Sequence, residues 1–97
     1  MDKRFRLNTL YDYYKDFFTE KQQEYFEDYY YSNYSLGEIA EVNNISRNAV
    51  HNQLKIVEER LEEFEKNLGL VAKKEKILAL LEKKVSSDIL EQIREIL

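Results

Sequence analysis

Apolar residues in the first third of the chain recur every three or four positions, which is the spacing of a helix with one buried side. The first stripe predicts a helix over residues 3–17, and its buried residues are Leu7, Leu10, Tyr11, Tyr14 and Phe18. Thr19 and Gln22 then have the spacing of a capping box, so a second helix is predicted over residues 20–32. Its buried face comprises Gln22, Phe26, Tyr29 and Tyr30.

The middle of the chain carries the signals of a short helix and a tight turn. Ser35 and Glu38 have a second capping-box spacing, which predicts a helix over residues 36–42. Its inward residues are Ile39, Ala40 and Val42. Asn43-Asn44 interrupts the apolar pattern, and Ser46 is a strong N-cap residue for the next helix. About three residues therefore separate the two helices.

A long helix is predicted over residues 47–68, about 33 Å long at 1.5 Å per residue. Its apolar residues are Val50, Leu54, Val57, Leu61, Phe64 and Leu68. Gly69 fits the left-handed residue that ends a helix. Two further helices are expected within residues 71–97, with a break at Ser86-Ser87-Asp88. They would cover either the long helix or a second subunit with Ile77, Leu80, Leu81, Val85, Ile89, Leu90, Ile93, Ile96 and Leu97.

The spacing of three residues around the turn is typical of a helix-turn-helix. Ala40 is small where two helices would cross, Asn44 can adopt the left-handed turn, and Val50 packs back into the angle. Further buried contacts are expected from Ile39, Ile45 and Leu54. The alternative is a helical hairpin that has this spacing by chance. The predicted fold is an all-α bundle, a single helical domain over residues 1–97, with a long recognition helix and a C-terminal helical extension.

Composition supports an all-helical chain and narrows the function classes. The 97 residues include no Pro, no Cys and only two Gly. Without Cys there is no disulfide to require an oxidising compartment, and no apolar run has the length of a signal peptide or a membrane span. We therefore expect a cytoplasmic protein with no membrane segment. One His and no glycine-rich phosphate loop or metal-ligand spacing predict a protein that is not an enzyme and needs no metal or cofactor.

Charge is distributed unevenly along the chain. The net charge of −4 argues against DNA binding, because affinity for duplex comes mainly from Lys and Arg. However, residues 42–57 contain no Asp or Glu, although the chain holds nineteen. Since a local field acts within a Debye length of about 8–10 Å, this acid-free window matters more than the total charge.

The window supplies the candidate contacts to nucleic acid, because the N-terminal turns of a recognition helix face the groove. On the face opposite Val50 and Leu54 lie Arg47, Asn48, His51, Asn52 and Lys55. Arg47 suits a guanine or a phosphate, and Lys55 suits a phosphate. Asn48 or Asn52 could pair with adenine.

Two serines complete the candidate site, because the helix N-termini capped by Ser35 and Ser46 can donate N–H groups to phosphates. The alternative is a solvated polar face with no ligand. The nucleic-acid interpretation is favoured because the face has donors and no carboxylates, whereas the same helix beyond Val57 becomes acidic. The acids there are Glu58, Glu59, Glu62, Glu63 and Glu65.

Eight Tyr lie between Tyr11 and Tyr34, which raises the possibility of base stacking. Core packing is the favoured interpretation, because half of them fall on predicted buried faces. The partly exposed candidates for stacking are Tyr13, Tyr25, Tyr31 and Tyr34.

The segments Leu36-Gly37-Glu38-Ile39-Ala40-Glu41, Ile45-Ser46-Arg47 and Ala49-Val50 resemble the fourth-region helix-turn-helix of sigma factors. Over roughly residues 3–72 the chain resembles still more closely the YlxM family of small helix-turn-helix proteins of Gram-positive bacteria and mollicutes. The segments that carry this resemblance are Thr19-x-Lys21-Gln22-Gln23, Tyr29-Tyr30, Ser35-Leu36-Gly37-Glu38-Ile39-Ala40, Ile45-Ser46-Arg47 and Glu65-x-x-Leu68-Gly69-Leu70. The resemblance implies a sigma region-4-like fold and a regulatory protein linked with the signal recognition particle, beside whose protein subunit the family is usually encoded.

Two functions remain in competition. The first is a protein that binds duplex DNA or the RNA of the signal recognition particle, as a homodimer formed by its C-terminal helices. The second is an interaction protein that binds a protein of the particle and uses the helix-turn-helix only as a scaffold. The donors suit phosphates of DNA and RNA equally, so the sequence leaves the nucleic acid open.

Overall fold

The computed structural model describes residues 2–97, so Met1, the first residue of the predicted domain, lies outside the described residues. Within this range the regular elements are all helical. They are α1 (Lys3–Tyr14), α2 (Glu20–Tyr30), α3 (Leu36–Asn43), α4 (Arg47–Leu68), α5 (Leu70–Leu81) and α6 (Ser87–Ile96), and a 3₁₀ turn, Lys15–Phe17, continues α1. The prediction of an all-α fold is confirmed.

Polar side chains start the helices at the residues that the sequence indicates. Thr19 and Ser35 each form a complete capping box with the residue three positions later. Ser46 and Ser86 cap α4 and α6 by accepting a backbone N–H from the first turn. Left-handed backbone follows three helices, with φ values of 54° at Asn44 and 62° at Gly69, the C-caps of α3 and α4, and 58° at Asn33 in the turn after α2. These caps satisfy backbone groups that the helices leave unpaired.

The long helix α4 organises the core, because α1, α2 and α3 all pack against it. Its buried stripe consists of Val50, Leu54, Val57 and Leu61. Aromatic residues from α1 and α2 fill the opposite side of the core, where the rings of Tyr11 and Phe26 stack with centroids 4.1 Å apart. Each buried aliphatic or aromatic side chain contributes roughly 1.5–3 kcal/mol, so the stripe on α4 carries much of the stability.

The turn between α3 and α4 has the predicted helix-turn-helix geometry. Ala40 and Val50 are both buried between the two helices. Asn44 has left-handed backbone, and the N–H of Ile45 donates to the carbonyl of Ala40 at 3.1 Å. A larger residue at Ala40 would push the helices apart, which explains why the position is small.

Two residues near the turn were wrongly expected to be buried. Val42 is 76% exposed, because at 100° per residue it lies about 60° outside the arc occupied by the buried residues of α3. Ile45 is 37% exposed, because it lies in the turn and not between the helices. A helix of two turns thus buries a narrower face than the run of apolar residues indicates.

The prediction for Tyr25 is also wrong, since this side chain is buried and not partly exposed. Because α2 packs against both α3 and α4, its buried face is wider than one stripe. Three other tyrosines are buried and donate their hydroxyl hydrogens to glutamates, which supports the packing interpretation for them. These pairs are Tyr11–Glu27 at 2.6 Å, Tyr14–Glu65 at 2.7 Å and Tyr30–Glu58 at 2.7 Å.

Glu65 joins α5 to the rest of the fold. Its carboxylate accepts the Tyr14 hydroxyl and the N–H groups of Val71 and Ala72, at 2.7, 3.1 and 3.0 Å, and thereby caps the N-terminus of α5. Burial alone would raise the pKa of Glu65, but the bonds from Tyr14, Ala72 and Val71 together lower it below its ordinary value. The carboxylate is therefore held in its charged form where the chain turns from α4 into α5.

The C-terminal helices extend away from this core. α5 contacts α1 and α4, whereas α6 has its main contacts with α5 and buries none of its own residues. The molecule is elongated as a result, with dimensions of 53 × 25 × 24 Å. Among residues 2–97, no helix combines the length and apolar character that crossing a lipid bilayer requires.

The first prediction concerns the helix crossing. Ala40→Leu should lower the free energy of unfolding by about 1–3 kcal/mol, because the larger side chain overpacks the junction of α3 and α4. Urea denaturation followed by circular dichroism measures the change. Val42→Leu alters an exposed residue of the same helix and should change it by less than about 0.5 kcal/mol. Equal effects of the two substitutions would contradict the steric role of Ala40.

The second prediction concerns the Glu65 cap. Glu65→Gln should cost about 1–2 kcal/mol at pH 7, because hydrogen bonds to a charged acceptor are replaced by weaker neutral ones. Since folding lowers the pKa of Glu65, its contribution is complete above the ordinary pKa of 4.5 and is lost as the pH falls through the folded value. Urea denaturation at several pH values should therefore show the difference in stability between the two proteins decreasing as the pH falls below the ordinary pKa of 4.5. Glu63→Gln, on the exposed side of α4, should leave the pH dependence unchanged.

Candidate nucleic-acid interface

The predicted contact residues all lie at one end of the molecule and are all exposed. Arg47, Asn48, His51, Asn52 and Lys55 occupy the first turns of α4, on its faces away from the buried stripe. Ser35 and Ser46 precede α3 and α4 as their N-caps. Their role in binding stays a prediction.

The N-terminus of α4 is an electropositive end. The first turn of this 22-residue helix contains no acidic residue, so no side-chain carboxylate within the turn offsets the positive end of the helix dipole. Ser46 Oγ accepts the N–H of Ala49 at 3.0 Å, and its hydroxyl hydrogen remains available to donate. Ser35 Oγ accepts the N–H of Glu38 at 3.1 Å in the same way. In contrast to α4, α3 carries an acid, Glu38, in its first turn.

A concave surface of about 430 Å³ joins the starts of α3 and α4. It is lined by Leu36, Arg47, Asn48 and His51. Leu36 directly follows the N-cap Ser35, so the beginning of α3 lies beside the first turns of α4. The structure therefore brings both helix N-termini and three of the predicted side chains to one surface.

A second concave surface, of about 380 Å³, continues from the first through Leu36 and His51. Its other lining residues are Lys3, Tyr29, Tyr30, Leu54, Lys55 and Glu58. Glu58 is the acid of this surface, and its charge is partly compensated, since it accepts the Tyr30 hydroxyl at 2.7 Å and pairs with Lys3 Nζ at 3.3 Å. Burial and the bond to Glu58 raise the pKa of Tyr30, which keeps the hydroxyl protonated. Asn52 lines neither surface, although it is exposed on α4.

Lys3 is a cation near the site that sequence reasoning missed. It comes from the start of α1, more than forty residues before α4, and only the packing of α1 on α4 brings it beside His51 and Lys55. Its neighbours in sequence are engaged elsewhere. Arg4 donates to the carbonyl of Tyr30 at 2.9 Å, and Arg6 forms a bidentate pair with Glu62 at 2.7 and 2.9 Å. Several cations lie close together in this segment, and the sequence could not show that Lys3 is the one that lies near the site.

The donor side chains of the site are unpaired. Within the part of the chain that the structure describes, no side-chain hydrogen bond or ion pair engages Arg47, Asn48, His51, Asn52 or Lys55. In the same range, residues 2–97, no group of three or more His, Cys, Asp or Glu side chains is placed to hold a metal ion. The chemistry that this surface offers is hydrogen-bond donation to acceptors such as phosphate oxygens and base edges.

The chain matches, over residues 1–96, the model of the family described as "Putative helix-turn-helix protein, YlxM / p13 like". A UPF0122 protein of Halalkalibacterium halodurans is 44% identical, over 98% of this chain and 79% of the relative. A UPF0122 protein of Oceanobacillus iheyensis is 46% identical, over 86% of this chain and 79% of the relative. A UPF0122 protein of Listeria monocytogenes serotype 4b is 38% identical, over 98% of this chain and 97% of the relative. The resemblance inferred from the sequence is confirmed, and the chain belongs to the YlxM/p13-like family of helix-turn-helix proteins.

Proposed function

We propose that this protein is a regulator that binds nucleic acid with the first turns of α4 and the N-terminus of α3. The observation that carries the proposal is the set of unpaired donors on the first turns of α4, which contain no acid. Residues 42–57 contain no Asp or Glu, and five polar side chains of α4 within this range are exposed, namely Arg47, Asn48, His51, Asn52 and Lys55. Such a surface complements phosphates and base edges, whereas a merely solvated helix face normally includes acids.

The individual side chains suit different parts of a nucleic acid. Arg47, at the start of α4, can form a bidentate contact with a guanine edge or a phosphate. Asn48 and Asn52 can recognise adenine. Lys55 extends the positive charge along the second concave surface, where it would neutralise the backbone, and Lys3 offsets the acid there, Glu58.

The finer identity of the ligand rests on the family resemblance. The ligand is duplex DNA or the RNA of the signal recognition particle, and the protein acts in the cytoplasm on the protein-targeting pathway of that particle. It is a binding protein and not an enzyme. Two copies act together as a homodimer, because helix-turn-helix proteins gain affinity by presenting two reading helices to two half-sites.

A second candidate function is binding to a protein of the signal recognition particle. The observation in its favour is the exposed apolar surface of α5 and α6, which includes Leu80 and Ile96. In that case the helix-turn-helix would be a scaffold, and the donors on α4 would have no ligand. Reversing the charges of Arg47 and Lys55 separates the two functions, because only nucleic-acid binding should then be lost.

The third prediction is that Arg47→Glu with Lys55→Glu weakens nucleic-acid binding by at least about thirtyfold, since each of the two lost contacts is worth roughly 1–3 kcal/mol. Stability should hardly change, because both residues are exposed and unpaired. Fluorescence anisotropy with random duplex DNA and with the particle's RNA, across a salt series, gives the affinity. The slope of log K against log salt should decrease by about 2 if each residue contacts one phosphate.

The matched control is Lys66→Glu with Lys83→Glu, which changes the net charge equally at exposed positions away from the site. Equal loss of binding in this control would show that only total charge matters. No binding of the wild type to either nucleic acid at low salt would refute the proposal. Loss of binding to the particle's protein in the Arg47 and Lys55 variant would contradict the second candidate, which predicts little change.

The fourth prediction separates the capping role of Ser46 from its binding role. Ser46→Ala should destabilise the protein by about 1 kcal/mol, because the α4 N-cap bond is lost. Ser46→Asp should keep the cap and the stability, yet weaken nucleic-acid binding, because it adds a negative charge beside the reading turns. Thermal denaturation and anisotropy measure the two effects, and Ser32→Ala, at an exposed position outside the helices, is the control. Undiminished binding by Ser46→Asp would argue that phosphate does not approach this end of α4.

A further inference from the structure

Both helices of the α5–α6 hairpin carry apolar side chains that the rest of the chain leaves exposed. We call this set of side chains the hairpin face, and its residues are Leu70, Ile77, Leu80, Ile89 and Ile96. Leu80 and Ile96 are 74% and 84% exposed. The exposed apolar residues thus come from both helices and not from one isolated position.

The internal packing of the hairpin is incomplete, since Leu78, Leu81, Leu90 and Ile93 are only half-buried. α6 has ten residues and buries none of them, and α5 buries only Val71. A helix of this length is marginal in water unless tertiary contacts cover its apolar side. Leu97, which directly follows α6, accepts a hydrogen bond of 3.4 Å from the hydroxyl of Tyr13 on α1, and this bond links the end of α6 to the core. The hairpin face therefore needs a partner surface.

Charges beside the hairpin face are segregated between the two helices. α5 contains three Lys and one Glu, whereas α6 contains three acids and one Arg. Lys73 and Lys76 stand one turn before Ile77 and Leu80, so they flank the apolar residues of α5. At 100° per residue, Asp88 and Glu95 lie on the same side of α6, next to the side that carries Ile89 and Ile96. All four charged side chains are exposed.

These charges do not pair within the hairpin. Among residues 2–97, the ion pair found in α5 or α6 joins Arg94 to Glu91 within α6, and none joins the two helices. A second copy of the hairpin supplies both missing partners at once, because its α6 can meet the first α5 while its α5 meets the first α6. A two-fold axis makes such a surface self-complementary and closes the interface.

We infer that the hairpin face is the interface of a homodimer in which basic α5 of one copy packs against acidic α6 of the other. This inference rests on the proposed homodimer and specifies how its two copies meet. The apolar residues supply the association energy, and the charges select the orientation that brings unlike helices together. The alternative orientation, α5 against α5, would bring like charges together and is disfavoured.

Two charge-reversed variants of the full chain test the interface. One is Lys73→Glu with Lys76→Glu, which makes α5 acidic, and the other is Asp88→Lys with Glu95→Lys, which makes α6 basic. Each variant alone should dimerise at least about tenfold more weakly than the wild type, because like charges then face each other. An equimolar mixture of the two should restore the dimer, because each helix again meets an opposite charge. Analytical ultracentrifugation measures the association, and circular dichroism checks that helix content is unchanged.

The possible outcomes distinguish an error in the proposed homodimer from an error in its proposed interface. A wild type that stays monomeric at high micromolar concentration would overturn the homodimer and this inference together. A dimeric wild type whose variants associate equally well would overturn only the hairpin interface. Weak association of both variants without recovery in the mixture would overturn the charge pairing. The combined variant with all four substitutions should dimerise like the wild type, and its failure to do so would also count against the α5-to-α6 arrangement.

Discussion

The structure depends on the burial of one apolar stripe along α4. Val50, Leu54, Val57 and Leu61 belong to a single helix, yet α1, α2 and α3 all pack against that helix. None of these shorter helices is long enough to be stable in water by itself, so each one depends on the surface that α4 offers. The same helix continues beyond the core to the residue that caps α5. Its uninterrupted length therefore connects the helix-turn-helix to the C-terminal hairpin.

Most of the fold could be predicted because its signals are local. Capping residues such as Thr19, Ser35 and Ser46 satisfy backbone groups a few positions away, and their effect does not depend on the rest of the chain. Burial was predicted less well, because it depends on which helices lie nearby. Val42 is exposed since α3 contacts its neighbours along a narrow arc, whereas Tyr25 is buried since α2 has neighbours on two sides. Apolar spacing records a preferred face but not the width of that face.

The residues of the candidate site also differ in whether the sequence could identify them. The side chains on the first turns of α4 could be identified from sequence, because helical periodicity puts them on one face. The contribution of Lys3 and of the concave surface at Leu36 could not, because these residues come from α1 and α3 and meet α4 only through tertiary packing. The role of the Glu65 carboxylate could not be identified from sequence either. Its sequence neighbourhood resembles a solvated acidic face, and only the fold shows that it accepts bonds from Tyr14 and α5.

Because α4 is unbroken, a change of angle at one of its ends displaces the residues at its other end. The joint at Glu65 lies near one end and the exposed donor side chains lie at the other, and at 1.5 Å per residue about 27 Å of helix separates Glu65 from Arg47. A tilt of about 10° at the joint would displace the first turns of α4 relative to the C-terminal hairpin by about 5 Å. The position of the C-terminal hairpin relative to the helix-turn-helix is therefore sensitive to the three hydrogen bonds that the Glu65 carboxylate accepts from Tyr14, Val71 and Ala72.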